Sequence, residues 1–240
     1  MKPSKVYSKI RNKLFRKFII LHYYLYRDEL RTKINHVFQY DDLDIGLFFE
    51  EQEEGALPGD KKYSAADYYK YMVSRYIFSI RYIKNKTVLD SGCGFGWGSY
   101  LVCNYPEKII SIDLNEKALD FAKSHWDDKK LHFLKCSLLN IDSLNETFDV
   151  ILGMEIIEHL SSKDGETYLY QCFRNLTDGG ILILSSFFPD LRKESEKAEK
   201  RNKFHLKIFT KQEIKKLAQH VGFSKIQFLG NLLVILKKRP

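Results

Sequence analysis

Two clusters of residues in this 240-residue chain have the types and spacing of a chemical site. In the first, glycines recur at Gly92, Gly94, Gly96 and Gly98 directly after Thr87-Val88-Leu89-Asp90. A short apolar run ending in glycines reads as a buried parallel strand whose carboxyl end turns sharply and lets another molecule approach the backbone, because glycine has no Cβ and tolerates positive φ. The apolar segment that follows predicts a helix whose first N–H groups face that molecule. A second apolar run, Ile109–Ile112, ends in Asp113, 21 positions after Gly92. That separation places a carboxylate against ribose hydroxyls in a nucleotide-binding βαβ unit. The second cluster is Glu155-x-x-Glu158-His159, followed downstream by His205. On a helix the positions i, i+3 and i+4 share one face. Two carboxylates and imidazoles there could bind a divalent cation or take a proton from a hydroxyl near neutral pH.

The elements that must position these groups alternate. Strands are expected near 87–90, 109–113, 131–136, 148–153 and 180–186, and helices near 97–104, 115–126, 165–175 and 210–221. Two last strands, 224–229 and 231–237, pair antiparallel around Gly230-Asn231. Thr210 and Glu213 have the spacing of a capping box. This pattern is that of an α/β chain with an open, mostly parallel sheet. The charged run Arg192–Lys203 reads as an exposed helix or mobile loop.

Charge is unevenly spread. Residues 1–34 hold ten Lys and Arg against Asp28 and Glu29, which accounts for the whole formal net charge of +8. The remainder is neutral, which argues against a nucleic-acid partner for the core. Within the arm Val6, Ile10, Leu14, Phe18, Leu21 and Leu25 fall on one side of a helix and lysines on the other, a face that could lie on an anionic membrane or pack on the chain's own core. Asp41–Lys62 is acidic, then Gly/Pro-bearing, and reads as a linker or lid edge. The division expected is therefore 1–62, arm and linker, and 63–240, catalytic domain. The aromatic segment Tyr63–Tyr82 (Tyr68, Tyr69, Tyr71, Tyr76, Phe78) should be helical. Four scattered cysteines form no C-x-x-C pattern and suit a reducing cytoplasm.

The string Asp90-Ser91-Gly92-Cys93-Gly94-Phe95-Gly96 resembles the D-x-G-x-G-x-G motif of class I S-adenosylmethionine (SAM) methyltransferases. Phe148–Leu160 resembles that family's fourth strand and following loop, and Leu176–Ser186 its "L-x-P-G-G" turn and fifth strand, with Asp178 where proline is usual. The resemblance implies a Rossmann-like seven-stranded sheet, helices on both faces and the last strand inserted antiparallel. It implies SAM held by Asp90, Gly92, Cys93, Gly94 and Gly96, with Asp113 on the ribose and Leu114 on the adenine. Met154 and Glu155 would line the same pocket, and Ser137 stands where the family commonly has an aspartate for the adenine amino group.

The cluster Glu155, Glu158, His159 and His205 resembles the Mg²⁺ or Mn²⁺ site of small-RNA 2′-O-methyltransferases, and ubiquinone-pathway O-methyltransferases have a related requirement. The same spelling also occurs in members with no known metal, where the histidine is a base or a structural donor. The spelling F-H-x-K-x-F-T-x-x-E over residues 204–213 resembles methyltransferases of surface-glycan and lipid-linked sugar pathways. The resulting expectation is O-methylation of a sugar or lipid-linked hydroxyl, with His159, His205 and Glu158 as catalytic groups and residues 1–34 as a peripheral membrane contact. Alternatives are a metal-assisted RNA 2′-O-methyltransferase, a small-phenol or quinone O-methyltransferase, and a non-catalytic SAM-binding subunit.

Overall fold

The computed structural model describes residues 66–200 and 202–240, together with residues 26, 30, 32, 33, 36 and 37; the side chains of 66–72 lie outside the description. The expected stripe from Val6 to Leu25 and the acidic linker lie outside the described residues, as do the side chains of Tyr68, Tyr69 and Tyr71. What is described of the arm packs inward. Leu30 and Val37 are buried in the core, Tyr26 meets Tyr105 edge-on, and the Lys33 ammonium donates to the Tyr100 carbonyl.

In chain order the elements are α1 (Ala66–Ile83), β1 (Thr87–Ser91), α2 (Trp97–Val102), β2 (Lys108–Asp113), α3 (Glu116–His125), β3 (Leu131–Lys135), β4 (Phe148–Met154), α4 (Ser162–Asn175), β5 (Leu176–Ser185), α5 (Arg192–Glu199), α6 (Lys211–Val221), β6 (Lys225–Leu229) and β7 (Leu233–Lys237). The strands form one seven-stranded sheet in the order β3-β2-β1-β4-β5-β7-β6, with β7 antiparallel to both neighbours. The inner parallel strands β1, β2 and β4 are covered on both faces, which is why they read as largely apolar runs, whereas edge strand β3 exposes His132, Leu134 and Lys135. Val88, Ile109, Val150 and Ile183 point to one core, shared with α1, α2 and α3. Leu89, Ile110, Ile151 and Leu182 point to the other, against Tyr168, Leu169, Ile214 and Ala218 of α4 and α6.

Strand order reverses at β1, which is hydrogen-bonded to β2 on one side and β4 on the other. Loops leaving neighbouring strands diverge at such a point, and the crevice outside the strands' carboxyl ends is where open α/β sheets bind ligands. Local signals fix the helices that flank it. Asn115 caps α3 by accepting the Ala118 N–H, Ser161 caps α4 through Asp164, and Thr210 with Glu213 forms the expected capping box of α6. The run beginning at Arg192 is helical, as one of its two readings had it, and Gly230 at φ 65° makes the turn between β6 and β7.

The helical condition for the second cluster is not met. A helix starting after β4 would have set Glu155, Glu158 and His159 on one face. Instead Glu155 takes a left-handed conformation (φ 57°), and only Ile157–His159 form a single 3₁₀ turn before Leu160 leaves in extended geometry. The α4 helix begins later, at Ser162.

Candidate active site

The glycine loop occupies the crevice at the end of β1. Gly92, Gly94 and Gly96 all have positive φ (75°, 51° and 72°), which explains why glycine stands at each. Their surroundings differ. A Cβ on Gly92 would lie 2.2 Å from the Ile156 side chain and one on Gly96 2.4 Å from the Phe133 ring, whereas a Cβ on Gly94 would meet nothing within 4 Å. Gly92 and Gly96 therefore serve packing, and Gly94 opens onto the space a ligand would fill.

Asp113 joins this loop to β2. Its Oδ2 accepts the Gly94 N–H at 2.8 Å and its Oδ1 the Asn115 N–H at 2.9 Å. A carboxylate has about four lone-pair positions, so two remain for a vicinal diol. The cap of α3 is Asn115, so Asp113 is not spent on that duty. Leu114, beside it, is 60% exposed. A large apolar side chain standing out next to an open glycine and an oriented carboxylate fits an adenosine moiety. The residues present thus suit SAM, as the motif implied.

Asp90 is held by its own hydroxyl donors. It is fully buried and orients the loop from below: the Tyr76 hydroxyl donates to its Oδ2 at 3.1 Å, and the Ser99 hydroxyl donates to the same oxygen. Ser111 donates in turn to Ser99 at 2.8 Å. Burial pushes the Asp90 carboxyl up to about 6 against the pull of the Ser99 and Tyr76 hydroxyls. Cys93 and Met154 are buried beneath the site. Ser137, expected at the adenine, caps the 3₁₀ segment Leu138–Leu144 by accepting the Leu139 N–H at 3.2 Å. That local duty takes one of its two acceptor positions and weakens the adenine assignment.

The second cluster lies beside the first, since Ile156, packed on Gly92, belongs to the same loop as Glu155 and Glu158. One oxygen of Glu158 and one ring nitrogen each of His159 and His205 lie within 4.8 Å of one another. His205 arrives on a segment clasped to this turn: the Leu206 and Lys207 N–H groups both donate to the Glu158 carbonyl, at 2.9 and 3.2 Å. The Glu158 carboxylate is 3% exposed, and its Oε2 has no hydrogen-bond partner among the described residues. Burial, and then the charge of Glu155, hold its carboxyl well above the usual range.

Glu155 corrects the expected four-residue set. Its Oε1 pairs with Arg75 of α1 at 2.7 Å and accepts the Ser185 hydroxyl at 2.9 Å. The metal-competent group is therefore the trio Glu158, His159 and His205. Arg75 was not anticipated. It is 5% exposed, and on sequence it is one cation in an aromatic helix, with no periodic signal of its ion pair.

Residues 88–180 match the family model described as a methyltransferase domain. A protein of Mycolicibacterium smegmatis named "Probable S-adenosylmethionine-dependent methyltransferase" is 25% identical over 150 residues, 60% of this chain and 54% of that protein. A ubiquinone biosynthesis O-methyltransferase of Pelagibacter ubique is 31% identical over 111 residues, 46% of this chain and 45% of that protein. The fold is shared with the crystal structure of a SAM-dependent methyltransferase from Archaeoglobus fulgidus (TM-score 0.60, 18% identity, 70% of this chain and 94% of that one). Residues 88–180 thus match a methyltransferase domain, and the chain is similar to SAM-dependent methyltransferases in sequence and in fold. It spans about half the length of the curated relatives it matches. Among the described residues no helix is long and apolar enough to cross a membrane.

Proposed function

We propose that this chain transfers the methyl group of SAM to a hydroxyl of a sugar or lipid-linked glycan. The observation that carries the reading is the placement of an imidazole pair and a buried acid next to the open glycine loop. The relatives named O-methyltransferases support a hydroxyl acceptor. The segment 204–213, resembling glycan-pathway enzymes, supports a sugar, and the basic arm supports an acceptor at a membrane surface.

SAM, when bound, supplies a methyl group already activated on a sulfonium. The protein must then align the acceptor and remove one proton. The His159 Nδ1 lies 3.2 Å from the Phe204 carbonyl, which only an N–H can satisfy, so the lone pair sits on Nε2. His205 Nε2 faces the Asn202 amide nitrogen at 3.1 Å and accepts from it. His159 is therefore the base, with His205 packed edge-on against it at 5.3 Å between ring centres. Glu158, whose carboxyl is raised by burial and then by the charge of Glu155, can orient an acceptor oxygen. The test is formation of S-adenosylhomocysteine (SAH) on a panel of sugar, polyprenyl-linked sugar and catechol acceptors. Turnover of catechols alone would replace the glycan reading with the phenol one.

A second reading has its own observation. Two imidazoles and the Glu158 carboxylate, whose buried Oε2 has no hydrogen-bond partner among the described residues, form a ligand set for a divalent cation. A cation held by Glu158, His159 and His205 would bind acceptor hydroxyls and lower their pKa. Titration with Mn²⁺ and Mg²⁺ tests it: heat of binding lost in Glu158→Ala supports the cation, and no heat removes it.

A further inference from the structure

The α5 helix carries a charge pattern that the methyl-transfer site does not use. Arg192, Glu196 and Glu199 form one stripe, closed on itself: Arg192 pairs with both oxygens of Glu199 at 2.8 and 3.0 Å and with Glu196 at 3.6 Å. This stripe faces the segment that carries His205, because Glu199 accepts the Ile208 N–H and Arg192 donates to the Ile208 carbonyl. Ser195 is fully buried.

Lys193, Lys197 and Lys200 recur at i, i+4 and i+7, so they form a second stripe. At about 100° per residue this stripe lies roughly opposite Ser195 and points away from the body. All three are exposed, and none has an acidic partner within 4 Å among the described residues. Lys200 keeps helical backbone angles as the C-cap, so the stripe runs to the helix end. Glu194 is the one acid of this helix that Arg192 does not pair.

Two large apolar side chains are exposed nearby in the chain, one at the start of α5 and one on the segment that the Arg192–Glu199 face of α5 meets. Leu191, immediately before α5, is 55% exposed, and Leu206, adjacent to His205, is 63% exposed. Leu206 is fixed there by its N–H bond to the Glu158 carbonyl. Outward lysines, with exposed leucines before the helix and on the segment that carries His205, combine electrostatic attraction with apolar insertion. That is the footprint of a protein resting on anionic lipid headgroups.

We propose that α5 and the 202–207 segment form a docking surface for an anionic membrane, placing His159 over an acceptor hydroxyl at the lipid surface. The inference rests on the hydroxyl-methylation reading for its purpose, but not on the N-terminal arm. Phe204, partly exposed in the same segment, carries the Lys203 ammonium 5.0 Å from its ring centre, so lipid and nucleic acid are separated by the vesicle and RNA arms of the test.

The test is co-sedimentation of the full chain with phosphatidylcholine vesicles with and without phosphatidylglycerol, comparing wild type with K193Q/K197Q/K200Q. A lysine near an anionic surface contributes about five-fold to partitioning, so the triple variant should lose roughly 100-fold. The single variant Lys197→Glu, at an exposed position where folding is not in question, should lose roughly 25-fold. Leu206→Ser should weaken binding to the same vesicles in high salt, where lysines are screened. Vesicle binding unchanged in both lysine variants overturns the proposal. So does stripe-dependent binding of inorganic pyrophosphate or a single-stranded RNA oligomer in the absence of any vesicle preference. SAH binding is measured on the same samples: its loss in wild type would sink the methyltransferase reading while leaving the vesicle result to stand.

Discussion

The Tyr76 hydroxyl of α1 reaches both oxygens of the buried Asp90 carboxylate, at 3.1 and 3.4 Å, and so ties the helix before the sheet to the cofactor loop after its first strand. Burial raises the Asp90 carboxyl from 3.8 to about 6. A carboxyl raised in the folded state favours folding fully below its unfolded pKa, and that contribution is lost as pH rises through the folded one. Between about pH 4 and 6 wild type should lose about 3 kcal/mol from this group alone. Asp90→Asn should flatten that part of the stability profile, and Tyr76→Phe, which removes a hydrogen bond that lowers the carboxyl, should move its upper edge to higher pH. Urea unfolding across this range checks it. A wild-type profile identical to that of Asp90→Asn would contradict the assignment.

Gly98 and Gly94 should fail in different ways when changed to alanine. A Cβ on Gly98 would sit 2.1 Å from the Tyr76 ring, so Gly98→Ala must displace the ring and should cost about 1–3 kcal/mol of stability. Gly94 has open space, and the cost there is about 1–2 kcal/mol for its left-handed φ of 51°. Yet Gly94→Ala should weaken SAH binding more than its stability loss explains, because the new methyl occupies ligand space. Melting curves with and without SAH separate the two.

His159→Gln should lower the rate of methyl transfer by about 10²- to 10⁴-fold, the usual size of general-base catalysis, with SAH affinity unchanged. His205→Gln should cost less, because its Nε2 already accepts from Asn202. Rates at saturating SAM check both. A larger effect at His205 than at His159 would reverse the assignment of the base.

If a cation binds the trio, Glu155→Ala should leave its affinity within a few-fold of wild type, while Glu158→Ala abolishes it. The reason is that Arg75 and Ser185 already hold the Glu155 carboxylate. Calorimetry with Mn²⁺ decides this. Equal loss in both variants would return Glu155 to the ligand set.

The cofactor half of the site was readable because its parts are local: a strand, four glycines, a helix and a strand-end acid follow one another within 27 residues, and each is demanded by backbone geometry. The sheet was readable for the same reason, since strands buried on both faces have no polar alternation to obscure them. The acceptor half was less so. The spacing of Glu155, Glu158 and His159 would share a face only if a helix began there, but the left-handed turn at Glu155 is held by tertiary contacts, its N–H donating to the Ser185 carbonyl and its carboxylate pairing with Arg75. Neither partner is near in sequence. Tyr76 was named only as an aromatic of a helix. Its bond to Asp90 depends on Gly98 leaving room for the ring, a packing relation across 22 residues that no periodicity encodes.

The central claim is that the crevice at the end of β1 binds SAM through Gly94 and Asp113. SAH titrated calorimetrically into wild type and Asp113→Ala tests it most directly. Two hydrogen bonds from ribose hydroxyls to an ionised carboxylate contribute about 1.5–3 kcal/mol each, so the variant should bind at least roughly 100-fold more weakly. Equal affinity in the two proteins, or no binding to wild type, would contradict it.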